Sequence, residues 1–170
     1  MFNFIKLSDE NPLLTLHFLP DIKKCFDKYS KYLLDDFFLT GDCLNKLLYQ
    51  THFFWVVSDN KDNFMGFAYL DNFIGNEKDL YSAELTVCFD KKAWGNFIRF
   101  SAKFFFKKCF DELGLHKIKA QIYPDNFRVR KILKDTGFVY ESLLKNETLR
   151  FGKMQDIEVY ALYRNYYYKD

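Results

Sequence analysis

Between residues 96 and 138 the chain is punctuated more closely than elsewhere, and this punctuation limits what it can fold into. A segment with helical spacing from about Asn96 to Leu113 stops at Gly114, a residue type that ends helices by turning left-handed. Lys117 to Tyr123 then has strand character and is ended by Pro124-Asp125. Residues 127–135 form a short basic helix closed by Gly137. A strand held between two helices by such short connections belongs in a sheet with helices on its faces, not in a bundle or a sandwich.

The flanking segments agree. Phe2, Phe4 and Leu7 outline a first strand, followed by a long helical segment interrupted at Pro20 and punctuated by Thr40-Gly41-Asp42. Residues 53–58, Phe-Phe-Trp-Val-Val-Ser, have the aromatic and β-branched enrichment of a buried strand. The turn cluster 59–63 leads to a partner strand over 64–70, and a polar loop from Gly75 to Asp79 precedes another strand over 83–89. Two last strands are expected at about 138–145 and 156–164. The expectation is one α/β (α+β) domain over 1–170. Its parts are an N-terminal strand, helices and hairpin (1–75), a central core (80–138) and C-terminal strands (138–170).

Composition removes several classes. The chain has 170 residues, 49% hydrophobic and 28% charged, which suits a single globular domain and not a disordered chain. A net charge of +2 is too mild to suggest nucleic acid as a partner. Cys25, Cys43, Cys88 and Cys109 lie far apart, without metal-ligand spacing, and are expected to be reduced core thiols; no metal site is expected. No leader-like start and no long apolar run is present, so a cytoplasmic protein without membrane segments is expected. The outlier is the aromatic share of 21%, with 21 Phe and 12 Tyr, more than one core readily absorbs.

The order of elements resembles that of the GCN5-related N-acetyltransferases (GNAT). The detailed match runs over residues 83–138: Ala83-Glu84-Leu85, Trp94-Gly95, Leu113-Gly114-Leu115-His116-Lys117-Ile118, Tyr123-Pro124-Asp125-Asn126 and Arg130 to Phe138. In this it is similar to the branch containing the ribosomal-protein N-terminal acetyltransferases. A looser match reaches Gly66 and Asp156 to Tyr160. The resemblance implies a central mixed, mostly antiparallel twisted sheet of about seven strands flanked by about four helices. It also implies acetyl-CoA as cofactor and an amine, such as a protein N-terminus or a small amine, as acceptor.

Carried onto this chain, the resemblance makes Glu84 the candidate catalytic carboxylate, which in some members deprotonates the amine. A plain strand-edge carboxylate is the other reading of that residue. The cofactor-binding candidates are Trp94, Gly95, Asn96, Phe97, Arg99 and Asn126. The loop departs from the family's glycine-rich pattern, because Phe97 and Arg99 stand where glycines approach the pyrophosphate. Asn126 is also placed to tie the strand end to the next helix. Val129 and Leu133 lack the hydroxyls some members place there, with Tyr123 and Tyr140 as nearby phenols; His17, His52 and His116 suggest no catalytic arrangement.

Phe97, Phe100 and Phe104 fall on a second side of the long helix, and the chain ends in a Tyr-rich strand or tail. Both are candidate surfaces for a protein partner or a homo-oligomer. They support an alternative in which the fold is catalytically silent and serves assembly, as acetyltransferase-like domains in phage virions do.

Overall fold

The computed structural model describes residues 2–7, 12–33, 53–76 and 79–168. The Thr40-Gly41-Asp42 punctuation, Cys43 and His52 lie outside them. Seven strands are present: β1 (Phe2–Leu7), β2 (Phe54–Asp59), β3 (Phe64–Gly75), β4 (Leu80–Phe89), β5 (Lys117–Ile122), β6 (Val139–Arg150) and β7 (Lys153–Tyr163). The described helices are α1 (Pro12–Tyr29), α2 (Asn96–Asp111), α3 (Phe127–Asp135) and the short α4 (Arg164–Tyr167), with 3-10 turns at 30–32 and 91–93. The sheet order is β1-β2-β3-β4-β5-β7-β6. β4 and β5 are parallel, whereas β1–β2, β2–β3, β5–β7 and β6–β7 pair antiparallel. This is the mixed, mostly antiparallel sheet the sequence led us to expect.

The residues group into two compact units, Met1–Leu70 with Thr86–Ile98, and Asp71–Leu85 with Arg99–Asp170. In the first, Phe18, Ile22, Cys25 and Phe26 of α1 join Leu7, Phe54, Val56, Phe67 and Tyr69 in one buried cluster. Phe54 stacks on Phe67 and on Tyr69, at 5.3 and 5.8 Å between ring centres. Gly66 is a close approach of β3 to β4: a Cβ there would lie 2.5 Å from the Cys88 carbonyl oxygen and 2.8 Å from Phe89 Cα. In the second unit β5 alternates half-buried and buried side chains, and Ile118, Ala120 and Ile122 form its inner face. Phe105, Phe106, Cys109 and Phe110 of α2 are buried, and Phe106 meets Phe138 edge to face at 5.3 Å.

Three expectations need correction. α1 runs through Pro20 unbroken. The ring removes the hydrogen bond to the Leu16 carbonyl, but Pro20 and Leu16 are both exposed, so water can take that acceptor, while buried Phe18 and Ile22 anchor the helix either side. β3, β6 and β7 are longer than their apolar runs. The Tyr-rich C-terminus, expected as a strand or tail, completes β7 through Tyr163 and then turns into α4, folded back on α2. There the Tyr167 hydroxyl donates to the Lys103 carbonyl oxygen at 2.6 Å, its ring packs on Phe110, and the Tyr168 hydroxyl bonds Asp111. Tyr166 and Tyr168 alone keep about half their surface in water.

Candidate active site

Glu84 lies on β4 among side chains that fix both of its oxygens. The Asn72 amide donates to Oε2 at 2.8 Å, and the Gln121 amide donates to Oε1 at 2.7 Å. Asn72 reaches it from β3 because its φ of +45° breaks the extended backbone there. Gln121 comes from β5 on the half-buried side of the alternation. The parallel pairing joins Ser82, Ala83 and Glu84 to Lys117, Ile118 and Lys119 and stops at Glu84, although β4 and β5 both run on.

Asp71, next to Asn72, is a second carboxyl in this group. Burial, reinforced by the negative charge of Glu84, pushes it up to about 6. An aspartate titrating there is half ionised close to neutral pH, a state suited to accepting and releasing a proton. Asp71, Asn72 and Gln121 were not among the residues singled out from sequence. Reading the third strand as ending at Leu70 left the first two outside any strand, and Gln121 was one polar position in an alternating strand.

Of the cofactor candidates, Trp94, Gly95, Asn96, Phe97 and Arg99 lie at the start of α2, and Asn126 lies at the start of α3. Trp94 is partly exposed; its indole N–H donates to the Phe89 carbonyl oxygen at 3.2 Å and its ring meets Tyr29 of α1. Gly95 has φ +98°, and nothing lies within 4 Å of where a Cβ would stand. Gly95 has no side chain to cap the helix, and Asn96 opens sixteen residues of α2, whose first turn presents backbone N–H groups and the positive end of the helix dipole. Phe97 is turned to the first strand, its ring meeting Phe2 edge to face at 6.0 Å. That contact gives the ring a place of its own and takes Phe97 out of the exposed Phe stripe. The Arg99 guanidinium binds the Asp135 carboxylate at 2.9 Å. Asn126 caps α3 by accepting from the Val129 N–H at 3.4 Å.

These observations test whether the pyrophosphate of coenzyme A suits the loop. The backbone at Gly95 is open and left-handed, the helix start is long enough to carry a dipole, and the Phe97 ring has a partner on β1. The residues fit an anionic group held by main-chain N–H groups. Arg99 adds positive charge only in company with Asp135.

The other candidates have structural roles. Tyr123 is fully buried with the Arg150 guanidinium 4.2 Å from its ring centre, and Arg150 in turn binds Asp125 at 2.9 and 3.0 Å. Tyr140 is exposed and packs edge to face on Tyr160. His116 stacks on Tyr81 and accepts the Arg164 N–H at its carbonyl. Phe100 and Phe104 are exposed on α2. Cys25, Cys88 and Cys109 are buried and free, and no metal-binding cluster occurs among the described residues. No described helix is long and apolar enough to cross a membrane.

Known structures share this fold. The spermidine N-acetyltransferase of Vibrio cholerae, solved with CoA and spermine, superposes with a TM-score of 0.74 at 22% identity, over 98% of this chain and 97% of that one. A mutant of the same enzyme gives 0.71 at 20% identity, over 99% and 96%. A candidate phosphinothricin N-acetyltransferase gives 0.72 at 14% identity, over 96% and 98%. None of these three supports the virion alternative. No curated protein sequence matches the chain. The sequence model of the acetyltransferase (GNAT) domain matches residues 10–139, spanning the helix, strands and loop just described, and on that match the chain belongs to the GNAT acetyltransferase family.

Proposed function

We propose that the chain is an acetyl-CoA-dependent N-acetyltransferase acting on an amine acceptor. The observation that carries this is Glu84, held at both oxygens by Asn72 and Gln121 where the β4–β5 pairing ends. When bound, acetyl-CoA supplies an activated acyl group: the acceptor nitrogen forms a bond to the acetyl carbon, the carbon–sulfur bond breaks, and the ammonium gives up two protons, one of which ends on the free thiol.

The chain's own contribution is electrostatic and positional. Main-chain N–H groups at Gly95, Asn96 and Phe97 would hold the phosphates at the helix start, with Trp94 bracing the loop against Phe89. Arg99 and Asn126 are the further cofactor contacts this assignment carries. Glu84 attracts the acceptor as an ammonium ion, and its fixed orientation restricts where the nitrogen can sit. Two neighbouring carboxyls, Glu84 and Asp71, suit an alkylammonium acceptor, whether a polyamine of the kind the V. cholerae enzyme is named for or a protein N-terminus. The cytoplasm, where acetyl-CoA is available, is the matching place of action. A protein partner or second copy would meet the chain at Phe100 and Phe104, 60% and 61% exposed.

Calorimetry with acetyl-CoA and a thiol-release assay over a panel of alkylamines test the assignment. Micromolar binding and amine-dependent thiol release are expected, with loss of release in Glu84→Ala. No heat at millimolar acetyl-CoA refutes it and leaves the catalytically silent alternative.

A further inference from the structure

The two amides on Glu84 come from the strands on either side of it, β3 and β5. Asn72 lies within β3 with φ +45°, a left-handed backbone that interrupts an extended strand. Asp62 and Phe151 adopt the same backbone in the turns after β2 and β6, whereas β3 continues past Asn72 to Gly75. Asparagine tolerates the left-handed region better than most residues but suits a strand poorly, so holding it there stores strain. Its side chain is exposed, and a bond that competes with water returns little of that strain as stability. What the distorted backbone does achieve is to set the amide 2.8 Å from Oε2 of Glu84.

Gln121 approaches from the opposite side. It stands on β5 two residues beyond Lys119, the last position paired to β4, and shares a strand face with it. Its amide therefore bridges the point where the two strands stop pairing and reaches Oε1 at 2.7 Å. A carboxylate held at one oxygen still swings about that bond; held at both, from two strands, its plane is fixed. Both partners are neutral donors, so Glu84 is oriented without its charge being cancelled.

We propose that Asn72 and Gln121 are positioning residues, which act through Glu84 to hold its carboxylate in the orientation that seats the acceptor nitrogen for attack. This rests on the acetyltransferase assignment above. The charge of Glu84 draws an ammonium ion in whether or not the carboxylate is fixed; its orientation decides whether the bound nitrogen faces the reacting carbon. Loss of either amide therefore falls on kcat and leaves KM for the amine nearly as it was. Because one bond alone does not fix the plane, either loss has most of the effect of both.

The test measures kcat and KM for one alkylamine at saturating acetyl-CoA in wild type, Asn72→Gly, Gln121→Met and the double variant. Glycine accepts a left-handed backbone without strain, so Asn72→Gly removes the amide and should keep a urea midpoint near that of wild type. In each single variant kcat should fall by ~10–100-fold, the scale of a misplaced reacting group, with KM for the amine and the calorimetric affinity for acetyl-CoA near wild type. The double variant should lose little more than either single one, since the two amides serve one carboxylate. In cofactor-free protein, Glu84→Ala should move the nitrogen-15 NMR signals of both side-chain amides. Should Gln121→Met fail to fold, Asn72→Gly and the NMR comparison decide alone. Single variants with wild-type kcat, a loss confined to KM, single losses that multiply in full in the double variant, or amide signals unmoved by Glu84→Ala overturn the proposal while leaving the assignment standing. Wild-type protein that acetylates no amine overturns both.

Discussion

Replacing Asp71 by Asn should stabilise the protein at neutral pH and not at acid pH. The folded carboxyl titrates at about 6 against 3.8 for an unperturbed one. Below pH 3.8 both folded and unfolded chains are protonated, and the carboxyl favours neither. Between 3.8 and 6 the unfolded chain releases the proton first, so wild type loses stability as pH rises, and above 6 the loss is complete. At 1.36 kcal/mol per pH unit the full displacement amounts to roughly 3 kcal/mol. Asp71 keeps partial contact with water, and screening reduces this to about 1–2 kcal/mol. Asparagine is close in shape and has no charge, so this pH-dependent penalty vanishes in Asp71→Asn. The assay is urea unfolding of both proteins at pH 4, 5, 6 and 7.5. The advantage of the variant should grow by about 1–2 kcal/mol across that range, or ~4 °C in Tm for a chain of this length. A difference that does not change with pH, or that falls as pH rises, would refute the account of Asp71 as a desolvated carboxyl in the field of Glu84.

Other outcomes follow from particular contacts. Gly66→Ala should destabilise by about 3 kcal/mol or more in urea unfolding, because its Cβ meets backbone atoms at 2.5 and 2.8 Å and neither can rotate away; near-neutral behaviour would mean β3 and β4 lie further apart. A double-mutant cycle of Phe2→Leu and Phe97→Leu should give a coupling of about 0.5–1.5 kcal/mol, and strict additivity would show that the Phe97 ring does not rest on β1. The hydrogen bond with Cys25, then burial, pushes the Cys88 thiol up, and burial pushes Cys109 up, so a disulfide reagent at pH 8 should leave both unmodified in native protein and react with them in urea; fast native labelling would contradict their burial.

The central part of the chain was legible because its signals are local. Gly114 has φ +69° and follows the end of α2 closely, Asn126 caps α3, and α3 spans 127–135 as its pattern indicates. The parts that were not legible depend on tertiary context. Whether Pro20 breaks a helix depends on whether the lost acceptor can reach water, which periodicity does not report. β3 continues to Gly75 through Asp71 and Asn72, residues that mark turns when no neighbouring strand compensates. Glu84 was recognisable from the residues around it, whereas its partners Asn72 and Gln121 come from two other strands and converge only through the sheet. Phe97 in the loop pointed to a blocked phosphate site; its ring instead meets Phe2, ninety-five positions away, a contact no local pattern reports.

The strand order of the sheet has a bearing on how the protein is made. β7 lies between β5 and β6, yet it is the last of the three to be synthesised. β5 therefore leaves the ribosome with one edge committed to a strand that begins about thirty residues later, at Lys153. Until Tyr163 has been added, the β5–β7 and β6–β7 ladders cannot be completed, and Phe110 waits for Tyr167 to cover it. Late, non-local closure of this kind makes the nascent second unit the stage most exposed to misassembly. Slow translation or chaperone capture over residues 117–163 should act on yield more than any change in the final stability of the fold.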